Sequence, residues 1–263
     1  MRQIFPQIHR QLEAKLTGPM TADTPGADEL VAALAEFYAY PGGTLDRPWV
    51  RANMIASVDG AISVDGRSGG LSGNADRLVF TVLRGLADVV LVGAGTARTE
   101  RYGLAKPFWP QLRDGRPPTP PIAVVTKALS LDLDSRLVRG DPSLPRTIVL
   151  TTTYAPADRV AAAARTADVF VVGEGHVSGH AVIEKLAELG HRRILTEGGP
   201  TLLGELTSAG LLDELCVTIS PLIEGGQAGR MVSSPRSLTA GVELVALLED
   251  DGFLLGRYVR PAR

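Results

Sequence analysis

Between Trp49 and Ser220 the chain alternates short apolar runs with segments of helical period, and this alternation restricts the fold more than any other feature. The strand-like runs are WVRANMIAS (49–57), DVVLV (88–92), IAVVT (122–126), TIVLT (147–151), VFVVG (169–173), RILT (193–196) and ELCVTIS (214–220). Runs this apolar suit strands covered on both faces, as in a parallel sheet flanked by helices. The segments between them supply those helices. In GNADRLVFTVLRG (73–85), Leu78, Val79, Val82 and Leu83 form one stripe, which Leu86 extends. DRVAAAAR (158–165) is alanine-rich, and AVIEKLAELG (181–190) and TLLGELTSAG (201–210) each close on a glycine. The tail VELVALLEDDGFLLGRYV (242–259) reads as a hairpin around Asp251-Gly252. The pattern predicts a mostly parallel central sheet with an antiparallel C-terminal hairpin at one edge.

Outside this body the signals weaken. Residues 1–28 carry prolines and glycines without periodicity and read as a loosely held arm. A helix is expected over 28–40 from Leu30, Leu34 and Phe37, stopped by Pro41-Gly42-Gly43. The division is an N-terminal arm with one helix (1–47) and one catalytic domain (48–263). Residues 107–121 hold six prolines, which suits a lid or binding loop rather than regular structure.

Composition removes several function classes. There are 27 basic against 29 acidic residues, and no basic excess that suits a nucleic-acid partner. The single cysteine, Cys216, forms no intrachain disulfide and lies in an apolar run, where a buried inert thiol is expected. His9, His176, His180 and His191 show no metal-ligand spacing. No signal core and no apolar stretch of about 18 residues occurs, so the expectation is a cytoplasmic protein with no membrane partner.

Two strand ends carry glycine turns: Gly93-Ala94-Gly95-Thr96 and Glu197-Gly198-Gly199-Pro200-Thr201. Parallel sheets bind ligands at the C-terminal ends of their strands. The first turn is not a dinucleotide fingerprint, because Arg98 stands where the third glycine belongs. G-K-[ST] and G-x-S-x-G are both absent. For the second turn two readings stand: a tight structural turn, or bare amides at a helix start kept clear for a phosphate.

Ala56-Ser57-Val58-Asp59-Gly60, Ser68, Arg84, Gly93-Ala94-Gly95-Thr96 and Glu197-Gly198-Gly199-Pro200 stand in an order and spacing that resembles one family over about residues 48–260. This is the reductase (C-terminal) domain of the bacterial riboflavin-biosynthesis deaminase–reductase, RibD. The resemblance implies a dihydrofolate-reductase-like, three-layer α/β/α domain. It also implies NADPH-dependent reduction of the ribosyl side chain of a ribosylaminopyrimidine phosphate, of the 5-amino-6-(5-phosphoribosylamino)uracil type. Carried over by position, Ile55, Ala56, Gly70, Gly93, Gly95, Thr96, Glu100, Gly198, Gly199, Pro200, Thr201, Leu202 and Leu203 face the cofactor. Lys127 falls beside its ribose, where an ammonium suits a 2′-phosphate. Ser57, Asp59, Ser68, Arg84, Leu104 and Glu197 face the substrate. Family members are commonly homodimers, and the hairpin is the expected contact.

The chain also departs from that pattern. It has no H-x-E…P-C-x-x-C deaminase signature. The family's substrate-phosphate arginine falls on Pro107, with Lys106 beside it, and a common tryptophan becomes Gly70. Asp76, in the first turn of helix 74–86, reads as a helix-dipole acid or is similar in place to the carboxylate with which dihydrofolate reductases grip the pterin ring; on the second reading dihydrofolate or a related pterin is the alternative substrate. Asp76 and Glu197 are the candidate catalytic carboxylates. A non-catalytic nucleotide-binding family member is the third reading.

Overall fold

The computed structural model describes residues 1–5, 18–21, 24–42 and 46–261. Its centre is a ten-stranded sheet in the order β1-β9-β10-β8-β2-β7-β3-β4-β5-β6. Seven of these strands run parallel: β2 (Trp49–Ser57), β3 (Val89–Gly93), β4 (Ile122–Val125), β5 (Ile148–Thr152), β6 (Asp168–Gly173), β7 (Arg193–Thr196) and β8 (Glu214–Ser220). The hairpin β9 (Glu243–Asp250) and β10 (Phe253–Val259) joins antiparallel to β8 through β10.

Helices cover both faces. On one, α1 (Ala27–Phe37), α2 (Asn74–Leu86), α3 (Ala94–Thr99), α4 (Arg136–Arg139) and α5 (Ala157–Ala163) contribute to a core that includes Leu34, Val82, Leu83 and Val124. On the other, α6 (Gly179–Glu188) and α7 (Pro200–Ser208) pack Val182, Leu186, Leu202 and Leu206 against Val89, Leu91 and Leu150. Burying both faces explains why β3 and β5 are apolar at consecutive positions instead of alternating.

Two elements differ from the sequence expectation. Arg2–Phe5 is not irregular; it forms β1, antiparallel to β9, and covers the outer edge of the hairpin. GAGTAR does not merely end a strand: Ala94–Thr99 turns at once into α3. Within the proline-rich segment the regular structure is one short turn, Pro110–Leu112. Among the described residues no helix is long and apolar enough to cross a membrane.

The placement of β7 matters most. After β3 the chain builds β4, β5 and β6 outward, then returns and inserts β7 between β2 and β3. The residues that follow β7 therefore emerge between the C-terminal ends of β2 and β3. This is the position at which parallel sheets open a ligand crevice.

Candidate active site

The two glycine turns touch. The Gly93 amide donates to the Gly198 carbonyl at 2.9 Å, and the Gly199 amide donates to Thr96 Oγ1 at 3.1 Å. Gly198 has φ +86°, and a Cβ on Gly199 would stand 2.5 Å from Thr96 Oγ1. Both glycines are thus required by the turn itself, one by its left-handed backbone and the other by close approach. The same geometry opens a helix start. Pro200 occupies the first turn of α7, and its first internal bond runs from Leu203 N to Gly199 O. The amides of Thr201 and Leu202 precede that bond and border the cleft. The structural-turn and ligand readings of this stretch are therefore compatible.

The cleft measures about 600 Å³ and lies between these turns, the C-terminal half of β2 and the first two turns of α2. At its wall Glu197 belongs to a buried charge pair that joins the cleft to the cavity beside it. Arg84 Nε donates to Glu197 Oε1 at 2.6 Å and Nη2 to Oε2 at 2.7 Å, a bidentate fork. The Tyr102 hydroxyl donates to the same Oε2 at 2.6 Å. The guanidinium also stacks over Phe80 at 4.2 Å and faces the Tyr102 ring at 5.6 Å. Burial pulls the Arg84 pKa down, but the Glu197 carboxylate outweighs it and drives it upward. Burial, followed by the Glu197 charge, raises Tyr102 well above an ordinary phenol. Arg84 Nη1 has no protein acceptor among the described residues, so this edge of the fork remains available.

Asp76 projects from the first turn of α2 into the same cleft and is 8 % exposed. Burial raises its carboxyl pKa, against the lowering effect of hydrogen bonds from Ser72 and Thr218. Glu100 also borders the cleft and accepts from the Ser68 amide at 2.8 Å, tying the turn Ser68–Gly70 to the end of α3.

Most of the sequence-derived site converges here. Ile55, Ser68, Gly93, Gly95 and Thr96 line the cleft, as do Glu197, Gly199, Pro200, Thr201 and Leu202. Arg84 and Leu104 line an adjoining cavity of about 380 Å³. Gly198 contributes its backbone turn rather than a wall.

Other positions are spent elsewhere. Ala56 and Leu203 are buried in the packed layers. Ser57 donates to Asp59, and Asp59 accepts from the Glu224 amide at 3.1 Å and the Gly225 amide at 2.8 Å. Those bonds, led by the one from Ser57, hold the Asp59 pKa down to about 2 and clamp the loop after β8. Gly70 lies outside the cleft lining; a Cβ there would meet Val64 Cβ at 2.8 Å. Lys127 lies outside the cleft lining, exposed after β4, with its ammonium 4.8 Å from the centre of the Tyr154 ring.

Tyr102 and Phe80 are cleft-lining side chains that the sequence reading passed over. Phe80 carried a signal, because it stands one helical turn before Arg84. Tyr102 carried none; it follows Arg101, whose left-handed backbone (φ +53°) swings the ring inward.

Comparison with known proteins gives the family. The model of the RibD C-terminal domain matches residues 48–252. A reductase from Archaeoglobus fulgidus, named for 2,5-diamino-6-ribosylamino-4(3H)-pyrimidinone 5′-phosphate, is 33% identical over 186 residues, covering 69% of this chain and 84% of the relative. Its namesake from Methanothermobacter thermautotrophicus is 29% identical over 210 residues, covering 80% and 94%. Among solved structures, a pyrimidine reductase-like protein from Corynebacterium diphtheriae aligns with TM-score 0.77 and 27% identity, over 88% of this chain and 99% of that one.

Proposed function

The chain belongs to the RibD C-terminal domain family, and from that premise we propose that it is an NADPH-dependent reductase of a ribosylaminopyrimidine 5′-phosphate. The observation that carries the reading is the meeting of both glycine turns with Glu197 and Tyr102 in one cleft, where Arg84 grips Glu197 from the adjoining cavity. When bound, NADPH supplies a hydride. The fit rests on bare backbone at Gly93, Gly95 and Gly199 and on the unpaired amides of Thr201 and Leu202, which suit a dinucleotide's phosphates.

The chain's own residues then do mostly positioning, as hydride transfer demands. Glu197 holds Arg84 in one orientation, with the free edge of the guanidinium available to substrate oxygens. Tyr102 and Phe80 hold that fork from two sides and narrow the access of water. Glu197 accepts three hydrogen bonds, two of them from a cation, which makes it an orienting carboxylate. A proton for the reduced product comes more readily from water or from a substrate hydroxyl. Lys127, at the end of β4, is the residue we assign to the cofactor's 2′-phosphate.

A pterin is the second reading, and Asp76 favours it specifically. A buried carboxyl with a raised pKa, held by Ser72 and Thr218, matches the donor–acceptor edge of such a ring. We further infer a homodimer that uses the faces of the C-terminal hairpin, since β1 already occupies its edge. Light scattering showing a monomer removes that inference.

The test of function is cofactor oxidation, followed by absorbance, with the ribosylaminopyrimidine phosphate (amino and oxo forms) and dihydrofolate offered in parallel. Turnover of a pyrimidine with NADPH preferred over NADH is the expected result. Absence of NADPH binding overturns the reading.

A further inference from the structure

Helix α7 carries a buried glycine, Gly204, in its middle, where alanine is the better helix former. A neighbouring segment accounts for it. A Cβ on Gly204 would stand 1.9 Å from the Ser233 carbonyl oxygen and 2.8 Å from the carbonyl carbon. Ser233 belongs to residues 221–242, which join β8 to β9 without a helix or strand. Connections this long without regular structure are usually functional.

This connection is a strap fastened to both walls of the cleft. Its first fastening is Asp59, in the loop that follows β2. The carboxylate engages through both oxygens: Oδ1 accepts from the Glu224 amide at 3.1 Å and Oδ2 from the Gly225 amide at 2.8 Å, while the Ser57 hydroxyl donates to Oδ1 from behind. The Val58 amide adds a bond to the Leu222 carbonyl at 2.9 Å. Gly225 and Gly226 have φ +66° and +73°, two left-handed positions in a row that turn the chain away from this latch. The strap then passes Ile62, whose Cδ1 lies 3.6 Å from where a Cβ on Gly229 would stand. Its second fastening is α7, where the Ser233 amide donates to the Pro200 carbonyl at 3.0 Å and the Ser233 carbonyl rests on Gly204. Both anchorages belong to walls of the cleft, Ile62, Ser63 and Ser68 on the β2 side and Pro200, Thr201 and Leu202 on the other. No residue of the strap lines the cleft, so it acts on a ligand through the walls it joins.

We propose that Asp59 is a positioning residue for the dinucleotide: it latches the strap that holds the loop after β2 and the first turn of α7 at one spacing, and cofactor release requires the latch to open about Gly225-Gly226. The inference rests on the reductase reading for the identity of the ligand; the strap and its two fastenings stand without it. A passive connection would need neither the mid-helix glycine nor a carboxylate engaged through both oxygens.

The test compares the wild-type chain with Asp59→Asn, Gly204→Ala and their double variant. Asparagine keeps the shape at 59 but offers one acceptor atom where two are used. The Cβ at 204 displaces Ser233 and leaves Asp59 intact. Hydrogen exchange is read first, without ligand. The expected result in each single variant is faster exchange over 221–242 together with 61–69 and 200–203. Faster exchange confined to 221–242 overturns the proposal, because the strap then moves without its walls. NADPH dissociation is read next, by stopped-flow displacement. Each single variant should release NADPH at least about fivefold faster, and the double variant no faster than the quicker single, since both substitutions undo one device. Rates within about twofold of the wild type, or effects that multiply in the double variant, overturn the proposal. A wild type that binds no NADPH overturns the reductase reading, and with it the role toward the dinucleotide; coupled exchange in the three segments would still support the strap's hold on the walls.

Discussion

The molecule contains two buried arginine–glutamate clusters on the same sheet, and they serve opposite ends. Arg51 on β2 and Glu214 on β8 are register partners, and both side chains are fully buried. Glu214 accepts from Arg51 Nη2 and Trp49 Nε1 at 2.9 Å and from Arg257 Nε at 2.7 Å. Arg257 spends its remaining nitrogens on the carbonyls of Phe37 and Ala39, fastening the end of α1 to the sheet. The Tyr40 ring closes over Arg51 at 4.0 Å. Around Arg84 and Glu197 the chemistry is similar and the surroundings are not. That arginine remains 18 % exposed and borders the cavity of about 380 Å³ beside the cleft. A closed cluster fixes architecture; an open one keeps a charge ready for a ligand.

Breaking the closed cluster gives the largest expected effect. Glu214→Gln leaves two guanidiniums facing a neutral amide in a dry interior, a loss of about 3–5 kcal/mol. Burial pushes the Glu214 pKa up, but Arg51 and Arg257 outweigh it and hold it below the unfolded value. Its contribution is therefore present above the unfolded carboxyl pKa of about 4.3 and is lost as pH falls through the folded value. Denaturant melts of wild type and variant should converge in acid. Parallel melts down to the acid limit would count against this account.

Glu197→Gln should reverse the balance. Stability falls by about 1–3 kcal/mol, less than at Glu214 because Arg84 is 18 % exposed, while kcat/KM falls about a hundredfold, the scale for one preorganised electrostatic group. A variant that unfolds while the surviving fraction keeps full specific activity would place Glu197 with Glu214 as a purely structural residue. Gly199→Ala comes next. The added Cβ must displace Thr96 Oγ1 and the amide bond it accepts, so NADPH affinity should fall about tenfold, with a stability loss of only about 1 kcal/mol. An unchanged dissociation constant would detach this turn from cofactor binding.

The contrast also explains what the sequence disclosed. The parallel strands were legible because burial on both faces leaves continuous apolar runs, and β7 announced itself by the glycines that follow it. Arg51 sat in plain view inside an apolar strand, yet its partner lies 163 positions away, and only the pairing of β2 with β8 brings them together. Tyr102 was hidden for a different reason. Its direction depends on the backbone at Arg101, and no propensity marks an arginine for φ +53°. β1 escaped because four residues carry too little pattern, and their strand exists through pairing with β9. Asp59 fitted a motif, but the tertiary structure gives its carboxylate to the loop after β8.

The smallest stability effect belongs to Asp76, and it separates the two substrate readings. Its pKa is raised chiefly by burial, so the carboxyl holds its proton more tightly in the native state than in the unfolded chain. Stability linked to this group is fully present below the unfolded carboxyl pKa and is lost as pH rises through the higher folded value. Asp76→Asn keeps the shape and removes the charge, so at neutral pH the variant should be as stable as the wild type or gain up to about 1 kcal/mol. Its activity should depend on the ring offered. A pterin needs the carboxylate as an acceptor, and its turnover should fall about a hundredfold. A ribosylaminopyrimidine is reduced on its side chain, near Glu197, so its kcat should stay within about threefold while KM rises. Equal losses on both rings would make Asp76 a shared anchor, and the cleft would then choose its substrate elsewhere than at α2.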